Sequence, residues 1–182
     1  LTPAPEFWWV TPLVGIIAAI VAFSAMFINR AIVRMRATLD LIERTESSEH
    51  YRNLYRNFKE LRSNSQVLER LKMPTTEADK KLREQVVDYL NHYELVAIGC
   101  KHGILDEGFY ASWMRSQLVR DWHSAKEFIL YRRSPDGQDK APALFIEFES
   151  MARRFETNTE RQSRFYRFRG RAQFLLSKIR RR

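Results

Sequence analysis

Residues 7–28 read FWWVTPLVGIIAAIVAFSAMFI and carry no charged side chain. At ~1.5 Å of rise per residue this stretch makes about 33 Å of helix, enough to cross a hydrocarbon core of ~30 Å. Trp8 and Trp9 stand at one end, where amphipathic indoles favour a membrane interface. Asn29 and Arg30 close the other end, and Arg34 and Arg36 follow. Before the stretch the only charge is Glu6. Basic residues stay on the cytoplasmic side, so residues 1–6 are expected outside and the chain beyond Arg30 in the cytoplasm. A secretory signal places its positive charge before the apolar run, the reverse of this order. A buried core helix of this length with no polar face would need a much larger protein around it. The expectation is one transmembrane helix over residues 7–29. Because the first residue is Leu1, further residues upstream of it are expected.

Within the span, Gly15 and Ala19 are four apart, as are Ala18 and Ala22. Small residues at that spacing let two helices approach closely in a bilayer, so this face is a candidate for helix packing with a partner or a second copy. Pro12 falls in the first turns, where a missing N–H costs little.

Working outward, the pattern stays helical. Ile32, Met35, Leu39 and Ile42 recur at 3-4-3, so the apolar helix is expected to run on past Arg30. That register fails at Thr45-Glu46-Ser47-Ser48, a break with a Ser N-cap. A second phase through Leu54, Phe58, Leu61, Ser65 and Leu68 ends at Met73-Pro74. These stripes persist for too few heptads to require a coiled coil, and are read as packing on the same chain. Residues 30–74 thus form a juxtamembrane segment. Thr76 with Asp79 three residues on resembles a capping motif. It opens a helix with the face Leu82, Val86, Tyr89, Leu90, Tyr93, Val96, Ala97 and Cys100, stopped at Gly103. Asp106 is the next N-cap, ahead of Phe109, Trp113, Met114, Leu118, Trp122, Phe128 and Ile129. Ser134-Pro135-Asp136-Gly137 is a turn. Leu144, Phe145, Phe148, Met151, Ala152 and Phe155 mark a last short helix in the bundle, which covers residues 75–157. No stretch alternates with period two, so the fold class is all-α: a membrane helix, a cytoplasmic helical bundle and a basic amphipathic C-terminal helix.

The chemistry is sparse. One cysteine, Cys100, excludes an internal disulfide and any multi-cysteine metal site, and is read as a small buried hydrophobe. His50, His92, His102 and His123 are scattered, so no metal is expected. No glycine-rich phosphate loop occurs, and no cofactor is expected. The most suggestive polar residue is Glu94, which shares a helix face with Asn91. It is read as a structural partner for Arg83, Arg120, Arg132 or Arg133, with proton transfer as the rival role. No catalytic residue is assigned, and the chain is expected not to be an enzyme.

The carrying features of a resemblance lie in Tyr89-Leu90-Asn91, Glu94 with Ala97-Ile98-Gly99, and Gly103-Ile104-Leu105-Asp106-Glu107. Trp122, Arg132-Arg133 and Phe148-Glu149-Ser150-Met151-Ala152 fit as well. Over roughly residues 31–155 the chain resembles a bacterial family catalogued as domain of unknown function 4760. The resemblance implies a single N-terminal membrane helix followed by a cytoplasmic helical domain, hence the bacterial inner membrane, and implies no catalytic residues. It does not extend past residue 156.

Lys and Arg number 31 against 22 Asp and Glu, for a net charge of +9. Residues 1–152 are balanced, with 20 of each sign, so the whole excess lies in residues 153–182. In that tail (158–182), Phe165, Phe168, Ala172, Leu175 and Ile179 recur at helical spacing. Arg161, Arg164, Arg167, Arg169, Arg171, Lys178 and Arg180 crowd the other positions. The tail suits anionic lipid headgroups first, an acidic protein partner second and nucleic acid third, because stacking on bases does not demand a helical register. The expected function is a non-enzymatic accessory or scaffolding subunit of a membrane assembly. The alternative is a membrane-tethered nucleic-acid sensor or effector, for example in antiviral defence, acting through those arginines.

Overall fold

The computed structural model describes residues 10–134 and 141–157. Residues 1–9, with Trp8 and Trp9, lie outside the described residues, as do most of the turn expected at 134–137 and the whole basic tail. Among the described residues the fold is all-α, with no strand.

Helix α1 (Val10–Ser47) carries the apolar stretch and, without interruption, the 3-4-3 stripe that follows it. Its 38 residues make a rod of about 57 Å. It is long and apolar enough to cross a bilayer, and no part of its most apolar eighteen-residue window is buried against the rest of the chain. Contact with the bundle begins near Thr38, which is fully buried.

The break after α1 falls where local chemistry put it. Ser48 is extended and its hydroxyl accepts the Tyr51 N–H, capping α2 (Glu49–Arg62). The second stripe then departs from expectation. Its apolar spacing predicts a single helical phase ending at Met73-Pro74, but the chain turns at Ser63-Asn64 and restarts as α3 (Ser65–Arg70). Leu54, Phe58 and Leu61 face inward from α2. The turn aims Leu68 and Leu71 into the same core, with Leu71 wholly buried. Satisfying both sets of leucines outweighs helical continuity, because burying an aliphatic side chain contributes roughly 1.5–3 kcal/mol.

Thr76 caps α4 (Glu77–Lys101) by accepting the Asp79 N–H at 3.1 Å. The helix ends in a Schellman turn. The Gly103 N–H reaches the Cys100 carbonyl at 3.0 Å and the Ile104 N–H reaches that of Gly99 at 2.9 Å. Gly103 has φ 66°, a conformation that is costly for residues with a Cβ. Asp106 then caps α5 (Glu107–Arg133), accepting the Phe109 N–H at 2.8 Å. A last helix, α6, covers residues 146–157. Phe145, just before it, has φ 57°, strained for an aromatic residue and held by the burial of its ring.

One apolar cluster unites these pieces. It runs from Leu54 on α2 through Tyr89 and Tyr93 on α4 and Leu118 and Trp122 on α5 to Phe148 and Phe155 on α6. Phe58 stacks on Tyr89 at 4.8 Å between ring centroids. Tyr93 stacks on Phe148 at 4.9 Å, and Trp122 meets Phe148 edge-on at 5.5 Å.

Candidate functional site

The most elaborate polar arrangement is buried. Tyr89 and Tyr93 are four apart on α4, and Gln117 and Asp121 are four apart on α5, so each pair shares a helix face. Where the faces meet, Asp121 has no exposed surface. One of its carboxylate oxygens accepts the hydroxyls of Tyr89 at 2.8 Å and Tyr93 at 2.9 Å. The other accepts Arg62 Nη1 of α2 at 2.5 Å. Gln117 Nε2 donates to both phenol oxygens at 3.3 Å. Burial, reinforced by neighbouring negative charge, pushes both phenols far above their ordinary range, so they stay protonated donors. The carboxylate is saturated and sealed from substrate, so this cluster ties three helices together.

Glu94 departs from the expected pairing with an arginine. Its carboxylate accepts the backbone N–H of Phe148 at 2.7 Å and of Glu147 at 3.3 Å, which caps α6 across the fold. An anion at a helix N-terminus is stabilised by the unpaired N–H groups there. Arg133, one of the cations named for Glu94, pairs instead with Glu149 at 2.5 Å and donates to the Leu144 carbonyl at 2.7 Å. Glu94 is thus occupied as a structural acceptor.

Cys100 is half-buried, and burial, with help from Glu107, pushes its thiol up to about 11, so it remains a thiol at neutral pH. Among the described residues no group of three or more His, Cys, Asp or Glu side chains is placed to hold a metal ion.

What remains is surface. Gly15, Ala18, Ala19 and Ala22 are all exposed on α1, and a Cβ built on Gly15 meets nothing within 4 Å. Arg30, Arg34 and Arg36 are exposed on the same helix. Arg161, Arg164, Arg167, Arg169, Arg171, Lys178 and Arg180 lie outside the described residues.

Open grooves adjoin α1 among the described residues. The first, of about 420 Å³, lies between its Ala37–Arg44 stretch and the end of α4, with Leu95, Ile98, Ile104 and Leu105 in its wall. Gly99 also lines it, and a Cβ there would come within 2.7 Å of Leu105 Cδ1, so the glycine lets the turn fold back over α4. The second, of about 310 Å³, is lined by Glu46, Tyr51, Arg52, Tyr55, Trp113, Met114 and Gln117. Beside it, His92 packs on Tyr51 at 4.6 Å, and burial drives its imidazole down to about 4, so it is neutral. Neither groove was anticipated from the sequence. Each arises between helices whose separation no local pattern encodes. For the buried cluster the one available signal was Asp121 itself, a charge in phase with the apolar positions Leu118 and Trp122.

The family model for domain of unknown function 4760 matches residues 11–155, most of the chain. The chain belongs to that family. The match takes in the apolar half of α1 as well as the bundle, so it reaches further toward the N-terminus than the motifs alone suggested, and it stops short of the basic tail. No curated protein and no solved structure matched the chain.

Proposed function

We propose, with membership of that family as the premise, that this is a membrane-anchored interaction protein without catalytic activity of its own. Helix α1 spans the inner membrane of a bacterium, with residues 1–6 outside. The bundle then stands in the cytoplasm as an accessory or scaffolding subunit of a larger membrane assembly. The observation that carries this reading is that the apolar half of α1 is wholly uncovered while the rest of the chain closes one core without it. Exposing that much apolar helix to water is unfavourable at roughly 25 cal/mol per Å², and a bilayer removes the cost. Arg30, Arg34 and Arg36 supply the flank expected on the cytoplasmic side. The basic tail suits anionic headgroups, adding about 1 kcal/mol per basic residue held near the surface.

The test is extraction and capture from native membranes. The protein is expected to stay in the pellet after an alkaline carbonate wash. It should resist protease added to sealed cells and co-purify with a defined set of membrane proteins in mild detergent. Release by carbonate would overturn the anchoring. Recovery of nucleic acid in place of protein, lost when Arg164, Arg167 and Arg169 become Ala, would favour the tethered nucleic-acid effector.

A further inference from the structure

We propose that the turn between α4 and α5 is a second membrane contact, seated in the phospholipid headgroup layer beside the emerging α1 helix. The inference rests on the spanning reading of α1.

The direction of the helices carries it. Beyond Asn29, α1 leads away from its apolar half. Thr38 on that path holds the turn directly, its hydroxyl accepting the Asp106 N–H at 2.8 Å and donating to the Arg34 carbonyl at 2.8 Å. Further along α1, Thr45 and Glu46 lie beside His92 and Trp113. Helix α4 therefore descends toward the apolar half of α1, turns at residues 102–106, and α5 climbs back. That turn is the end of the bundle nearest the bilayer. Nine residues separate Asn29 from Thr38, about 13 Å of helix. The interfacial layer beyond the hydrocarbon takes up roughly 5–7 Å of that distance. That leaves about 6–8 Å, which a tilt of α1 toward the turn by roughly 30°, within the range that membrane helices adopt, closes.

Its side chains suit that layer. Ile104, at the tip of the Schellman turn, is 62% exposed, and Leu95 on the adjoining wall is 63% exposed. Phe109 in the first turn of α5 is also uncovered. Lys101, whose ammonium also meets Glu147, and His102 sit next to them on the exposed rim, with Asp106 and Glu107 on the α5 side. Exposed apolar tips partition into the interface, and the Lys101 ammonium at their edge is favoured near anionic headgroups. The occupant is the phospholipid surface rather than a protein because α1 itself brings that surface to the turn.

The full chain is prepared with Cys100→Ala and one introduced cysteine, at Ile104→Cys, Ile20→Cys or Met73→Cys, each labelled with an environment-sensitive fluorophore. Met73 is 69% exposed and lies at the opposite end of the bundle, where neighbouring Lys72 packs over Tyr131 late in α5. Each protein is reconstituted into phosphatidylcholine–phosphatidylglycerol vesicles containing lipid spin-labelled at the headgroup, at a shallow acyl position or, for the label at 20, near the acyl chain end. The label at 104 is expected to shift to the blue and lose most of its emission to shallow spin label, while that at 73 is quenched only by aqueous iodide. Loss of quenching at 20 would sink the spanning reading itself. Quenching at 20 with iodide-accessible emission at 104 would overturn this inference alone. Shielding of 104 from both lipid and iodide would overturn it in favour of a protein contact.

Discussion

Asp121 holds the carboxylate on which α2, α4 and α5 converge. Replacing it with Asn keeps the shape but leaves Arg62, whose side chain is only 15% exposed, without its counter-charge. Breaking such a pair by removing one partner costs about 3–5 kcal/mol. Asp121→Asn should therefore lower unfolding free energy by about 3 kcal/mol in chemical denaturation of the full chain in detergent. A double-mutant cycle with Arg62→Met should return a coupling of about 1–3 kcal/mol. Additive effects would mean that the ion pair contributes nothing beyond burial. His92 yields a second residue-scale expectation. Burial lowers its imidazole from an ordinary 6.5 to about 4, so the unfolded chain takes up the proton first as pH falls. The stability is complete above about pH 6.5 and is lost toward pH 4, by up to about 3 kcal/mol. Glu149 acts in the same sense: burial raises its carboxyl, but Arg133 and Arg153 more than offset this and hold it below the ordinary carboxylate value, so its contribution is lost only as pH falls through that range. His92→Phe should flatten the slope between about pH 7 and 5; an unchanged slope would assign it to another group.

At the scale of elements, the helix ends were legible and the partners of the helices were not. Ser48, Thr76, Asp106 and the turn at Gly103 act through backbone groups three to five residues apart, so their roles follow from local sequence alone. The restart at Asn64 could not be read in that way. Asn64 makes no side-chain cap bond, and the turn there is imposed by where Leu68 and Leu71 must point. Glu94 shows the same limit, because its polarity among apolar neighbours was visible but its partner lay 53 and 54 residues away. That bond predicts an element-scale effect. Glu94→Ala should destabilise the docking of α6 by about 1 kcal/mol, and Glu94→Gln, which keeps the acceptor oxygen, by less. Hydrogen exchange across residues 146–157 should quicken in the alanine variant while α4 and α5 stay protected. Equal loosening of all three would show that the carboxylate supports the core as a whole.

Over the whole molecule, two regions follow different rules. Residues from Leu54 to Phe155 close a core on themselves, whereas residues 12–29 of α1 touch none of it and expose every side chain. In such a molecule, substitutions on the apolar half of α1 can alter association without altering the fold. Gly15 and Ala19 lie one turn apart on that half, and the space beside Gly15 is open. Small residues so placed allow backbones to approach to van der Waals contact, and larger side chains hold them apart. The pair Gly15→Leu and Ala19→Leu should leave the unfolding free energy of the bundle within about 0.5 kcal/mol of the parent, because sites so far apart share no partners. The same variant should lose crosslinked dimer or captured partner in native membranes, with its carbonate-resistant fraction unchanged. Retained association would move the contact off this face and onto the bundle. A fall in bundle stability would mean that the uncovered half of α1 packs on its own chain after all.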